Sequence, residues 1–146
     1  MEYRRFGDAY YIRMDAGDEV MSCIKDVCAR EGVRSATFSG IGGCGSAEIQ
    51  VFDPEAGAFS TERFEGLLEL VSVMGNAISD EDGGLWLHAH ALFSYREGDE
   101  PRVASGHLKA TTVRYTAEIE LRPVIGGAIG MRPDPVTGTA FWDFGA

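Results

Sequence analysis

The chain lacks any apolar run near the ~20 residues that a membrane helix needs, so no membrane partner is expected. Its start, "MEYRRFGDAYYIRMD", is polar and charged and has no apolar core of the kind a secretory leader carries. Cysteine is scarce. Cys23, Cys28 and Cys44 are an odd number without CxxC spacing, which excludes a disulfide framework and a zinc ribbon. A reduced, cytoplasmic protein is the expectation. Positive charge is also in short supply: 13 Lys+Arg stand against 23 Asp+Glu, for a net charge of −10 and a pI of about 4.6. The longest basic cluster is Arg4-Arg5. Duplex binding draws on clustered cations, so weak or no DNA binding is expected from charge. Histidine is scarce as well. There are three, and all lie between "LWLHAHALFS" and "ASGHLKA".

What is present suits a folded domain. The 146 residues are 45% hydrophobic and 25% charged, consistent with one domain over 1–146 around its own core. "YYIRMD" alternates Tyr10, Ile12 and Met14 against Tyr11 and Arg13, the period of a strand. "GDEVMSCIKDVCAREG" has the period of a helix. Asp18 is its expected N-cap, Val20, Met21, Ile24, Val27 and Cys28 form its apolar face with Cys23 off the stripe, and Gly32 stops it. From there the pattern is strands: "SATFSGI", "AEIQVFD", "LLELVSVMG", "LWLHAHALFSY", "VASGHLK" and "TVRYTAEIEL". Turn chemistry in "DPEAG", "SDEDGG" and "REGDEP" separates them. The expected fold class is α+β, a large and mostly antiparallel sheet with one main helix.

Two glycine clusters invite a nucleotide-binding reading, and their context rejects it. After "GIGGCG" (Gly40 to Gly45) comes "SAEIQVFD", which alternates at period two, whereas a dinucleotide fingerprint opens a helix there. A glycine-rich strand corner or close backbone approach is expected instead, and the same for "IGGAIG" (Ile125 to Gly130).

On a strand, His88 and His90 share a face, about 7 Å apart at the backbone. If the next hairpin is symmetric about Gly98-Asp99, Glu97 pairs with Glu100, and counting back puts His90 opposite His107. All three imidazoles then occupy one patch. Three neutral imidazoles suit a tridentate transition-metal site with an open position. The alternative is a polar network completed by Thr111 or Ser105. No catalytic residue is assigned: Glu65, Glu69 and Asp143 are available carboxylates, read first as solvated or strand-edge groups. Enzymatic activity is left open.

The order of these pieces resembles the PPC domain, named for plants and prokaryotes and found also in plant AT-hook nuclear-localised proteins. The resemblance rests on Glu65-Gly66, Leu68 to Asn76 ("LELVSVMGN"), Gly83-Gly84, His88/His90, Gly106-His107-Leu108, the "SGIGG" turn and "MRPDPVTG". It implies a central antiparallel sheet, a homotrimer, and a divalent metal on His88, His90 and His107. Zinc is expected, with nickel, iron or cobalt as alternatives. The trimer has a second motive in "LLELVSVMG" and "FWDFG", which offer more apolar surface than one helix covers. The implied role is a metal-binding domain with a small-molecule ligand or metal-dependent chemistry. The alternative is a regulatory or protein-interaction module. The family's DNA-binding label, taken from the plant proteins, fits poorly: this chain has no AT-hook.

Overall fold

The computed structural model describes residues 1–79, 84–136 and 139–145. The turn at 80–83, expected within "SDEDGG", lies outside these residues, as do Thr137 and Gly138 of "MRPDPVTG". In chain order the elements are β1 (Glu2–Phe6), β2 (Ala9–Asp15), α1 (Val20–Glu31), β3 (Ser35–Asp53), β4 (Ala58–Ser79), β5 (Leu85–Glu97), β6 (Glu100–Pro123), β7 (Gly130–Pro133) and β8 (Ala140–Asp143). The architecture is mostly β, with a single 12-residue helix among the described residues, which corrects the α+β expectation toward an almost all-strand fold.

The reason is strand length. "SATFSGI" and "AEIQVFD" are one 19-residue strand, and "VASGHLK" and "TVRYTAEIEL" belong to one of 24 residues. Glycines let these strands run on through the sites where a corner was expected. At Gly42 an added Cβ would lie 2.7 Å from the Ala117 side chain, and at Gly40 it would collide with Glu118 and Ile119 of β6. The β3–β4 register shifts between Gly40 and Gly42 and again between Cys44 and Ser46, so the strand bends without breaking. The close-approach reading of "GIGGCG" is therefore what the packing requires. The second cluster differs: Gly126 (φ 78°) and Gly127 lie in a loop with open space beside them, because no strand passes there.

The main sheet has the order β1-β2-β6-β3-β4-β5, and β6 also pairs with β5. That extra ladder closes β3, β4, β5 and β6 into a ring, in which β6 pairs with β5 from Glu100 to His107, with β3 from His107 onward, and lies between β2 and β3 from Thr116 to Leu121. β7 and β8 form a separate two-stranded ladder. Tyr10, Ile12 and Met14 are buried on β2 while Tyr11 and Arg13 are exposed, following the alternation of the sequence. β1 and its turn at Gly7 carry no comparable apolar pattern and were not legible as a strand.

The helix packs its apolar face on the sheet, with Val20, Met21, Ile24, Val27 and Cys28 buried against a core that includes Ile12, Met14, Phe93 and Ile119. Cys23, read as off the stripe, is buried too and joins the same core cluster. Burial pushes the Cys23 and Cys28 thiols up to about 11 and raises Cys44 as well, so all three remain protonated, unreactive core residues. The N-cap is Glu19 rather than Asp18. Its carboxylate accepts the backbone N–H of Met21 and Ser22 at 3.1 and 2.7 Å, and also that of Thr111 on β6. Asp18 is drawn away by the Asp15 N–H and the Met1 ammonium. One carboxylate thus ends the helix and ties it to β6. Gly32 closes the other end in the left-handed conformation.

Candidate metal centre

The three histidines stand where two ladders meet. β5 lies between β4 and β6. His90 is opposite Met74 on one side and His107 on the other, and Glu97 pairs with Glu100 across a turn at Gly98 (φ 60°). The hairpin count made from the sequence is therefore the observed register. Directly opposed residues on neighbouring strands project to the same side, so the side chains of His90 and His107 share a face with that of His88 two positions away. On the opposite face Ala89, Ala91 and Phe93 are buried and fix β5 against slippage, since a one-residue shift would turn them to solvent.

The side chains converge as well as the backbones. His88 Nε2 lies 3.1 Å from His107 Nδ1 and 3.2 Å from His90 Nε2. One ligand nitrogen from each ring falls in a group whose members all lie within 4.8 Å of one another. In a tetrahedral site with bonds of ~2.0–2.1 Å, ligand nitrogens sit roughly 3.3 Å apart, which matches the two separations from His88 Nε2. Hydrogen bonding alone does not account for the cluster. A neutral imidazole nitrogen carries either one hydrogen or one lone pair, so His88 Nε2 cannot make two full hydrogen bonds at once. A cation accepting three lone pairs removes that conflict. Burial holds His88 and His107 below the ordinary imidazole value, with the His90 charge adding to the effect on each. Both shifts favour the neutral, ligating form.

Aromatic rings brace the group: Trp86 lies 5.3 Å from His88 and Phe59 lies edge-on to His107 at 5.1 Å, centroid to centroid. Asn76 is opposite His88 on β4, and its buried Oδ1 has no hydrogen-bond partner. A ligating imidazole usually donates its second ring N–H to an acceptor, and Asn76 offers one on the neighbouring strand. Nothing in the sequence pattern marked it; its only signal was the "GN" of the family-like segment.

The other candidates are placed elsewhere. Thr111 is buried with its hydroxyl donating to the Ser46 carbonyl, and Ser105 is exposed opposite Leu92, so neither completes a polar network with the histidines. Glu65 and Glu69 lie exposed on β4, opposite Ser46 and Gly43, and Asp143 accepts from the Gly145 N–H. Among the described residues no aspartate or glutamate joins the histidine group.

A profile of the Plants and Prokaryotes Conserved (PCC) domain matches residues 1–125. The chain belongs to this family. Among solved structures, a plant- and prokaryote-conserved protein from Pyrococcus horikoshii shares 31% identity with it. That match has a TM-score of 0.79, over 97% of this chain and 93% of that one. A metal-containing protein from Archaeoglobus fulgidus is 28% identical, with a TM-score of 0.80 over 97% and 96% of the two chains. A "putative DNA-binding protein" from Bacteroides thetaiotaomicron is 21% identical and superposes at 0.87 over 99% and 98%, a likeness of fold. No curated protein matches the chain. The PCC-domain fold therefore arrives here with a histidine triad that can hold a metal, and no helix among its described residues is long and apolar enough to cross a membrane.

Proposed function

We propose that this PCC-domain protein binds one divalent transition metal, zinc before nickel, iron or cobalt, through His88, His90 and His107. The observation that carries the reading is the convergence of three ring nitrogens that hydrogen bonds cannot jointly satisfy. Borderline imidazole donors suit these metals, whereas calcium and magnesium take oxygen ligands. The metal-containing relative from Archaeoglobus adds support. A metal on three protein ligands keeps a position open and would supply Lewis acidity to whatever enters it. With no carboxylate in the group among the described residues, ligand binding precedes catalysis as the reading of this site.

Cobalt titration followed by its visible absorption tests the proposal across pH. Protons compete for the same lone pairs. Because His88 and His107 are held below the usual value near 6.5, one equivalent should bind fully at neutral pH and weaken as pH falls below about 6.5. In the metal-free protein the same shifts make the unfolded chain the better proton acceptor, so stability should also decline through that range. Cobalt binding that is flat from about pH 7.5 to 5.5 would mean the ligands are not imidazoles.

We also infer a homotrimer. Ile41, Leu67, Val71 and Tyr115 stand exposed on β3, β4 and β6, with Phe141, Trp142 and Phe144 exposed near the C-terminal end. Closed three-fold symmetry covers such faces and protects sheet edges. Light scattering should return three times the chain mass at micromolar concentration, and a stable monomer there would refute it. A regulatory role would then act through that assembly. DNA binding is not part of the proposal, since Arg4, Arg13, Arg30, Arg63, Arg102 and Arg122 each already sit beside a carboxylate.

A further inference from the structure

The β5–β6 ladder stops at His90 and His107. Beyond that pair β5 continues along β4, from Ala89–Gly75 to Leu85–Ser79, while β6 continues along β3 from Leu108–Ile49. A cleft of about 510 Å³ opens beside the parting strands, lined by His88 and His107, by the rings of Trp86 and Phe59, and by Lys25 from α1 and Lys109 from β6. The sequence contains two lysines, and both are here. Among the described residues neither lies in an ion pair with a carboxylate, although six arginines of the same chain do. Lys109 is near enough to His107 for its charge to disfavour protonation of the ring. In a protein of net charge −10, two ammonium groups without an ion pair among the described residues, beside a three-nitrogen cluster, give this cleft local positive charge.

We propose that the cleft takes a small organic carboxylate, one oxygen completing the coordination of the metal, the carboxylate charge met by Lys25 and Lys109, and the apolar body lying against Trp86 and Phe59. The inference rests on the metal reading above and names the ligand class for the same site. A monoanion with an apolar body fits better than a phosphate. The cleft is walled largely by Met21, Leu85, Leu87 and the two aromatic rings, and a phosphate dianion would lose more hydration on entering it. The lysines act as mobile point charges, which tolerate a range of acids.

The test uses full-length, cobalt-loaded protein and benzoate as probe, with neutral benzamide and phenyl phosphate beside it. Benzoate should perturb the cobalt absorption and saturate, and added salt should weaken it. The Lys25→Gln/Lys109→Gln double variant, compared at equal cobalt occupancy, should bind benzoate at least about tenfold more weakly, a change of about 1.4 kcal/mol. Equal benzoate affinity in the double variant, or benzamide binding as tightly as benzoate, would overturn the proposal. Phenyl phosphate binding more tightly than benzoate would overturn the carboxylate assignment. A protein that takes up cobalt but ignores benzoate sinks this inference alone, whereas one that takes up no cobalt sinks the metal reading and this with it.

Discussion

Replacing His88, His90 and His107 together by alanine is expected to bring the metal content of protein purified without a histidine tag from near one equivalent per chain to background. The three nitrogens come from two strands and His88 Nε2 stands 3.1 and 3.2 Å from the other two, so in the proposed site each would contribute a full ligand rather than a peripheral contact. Loss of an outer partner to a ligating histidine typically costs 10–100-fold in affinity. Loss of a ligand should cost more, and His90→Ala alone should remove most of the binding. Arg63→Ala, at an exposed arginine paired with Glu48 and outside the histidine group, should leave it intact. The effect should also appear as stability. A ligand held at about 1,000 times its dissociation constant stabilises the folded state by ~4 kcal/mol, an increment the alanine variant should not show on addition of zinc. Equal, substoichiometric metal in wild type and triple variant would reduce the three histidines to a polar patch on a sheet.

Gly75→Ala should be the most damaging single methyl that can be added near the site. Gly75 on β4 is opposite Ala89, between the pairs that hold His88 and His90. An added Cβ would collide with the His88 carbonyl, and it would stand 2.6 Å from the Phe38 ring and 2.9 Å from the Ala89 Cα. Two of those three neighbours are backbone and cannot rotate away, so the strands must part. Overpacking of this kind costs about 3 kcal/mol, which for a chain of this size lowers Tm by roughly 9 °C. The displaced strand carries two of the three proposed ligands, so metal affinity should fall with it. Gly57→Ala provides the contrast. Gly57 turns at φ 62° with open space around it, and a side chain there costs only the left-handed strain of about 1 kcal/mol. A Gly75→Ala protein melting within about 2 °C of the wild type would mean β4 and β5 do not approach as closely as described.

Much of the site was legible because strands repeat every two residues and hairpins count symmetrically. Those two rules placed His88 with His90 and His90 opposite His107 without reference to any relative. The helix was legible for a similar reason, its apolar stripe ending at a glycine. Its cap was not. A propensity rule favours Asp18, since aspartate is a preferred cap, yet the cap falls to Glu19 because Met1 and Asp15 engage its neighbour while Thr111 approaches from a strand more than ninety residues away.

Strand lengths were hidden for the opposite reason. Glycine reads as a break, yet Gly40, Gly42 and Gly75 are needed where another backbone crosses too closely for a Cβ, and that crossing is a property of the folded sheet. The sequence by itself determined the face and register of the three histidines and the acidic character of the surface around them, since both follow from local period and composition. Only the tertiary structure decided that the nitrogens meet, that Asn76 stands opposite His88, and that the two lysines line one cleft with His88 and His107. Lys25 rides on a helix and Lys109 on a strand eighty-four residues later. Nothing local relates them; the packing of that helix against the sheet does.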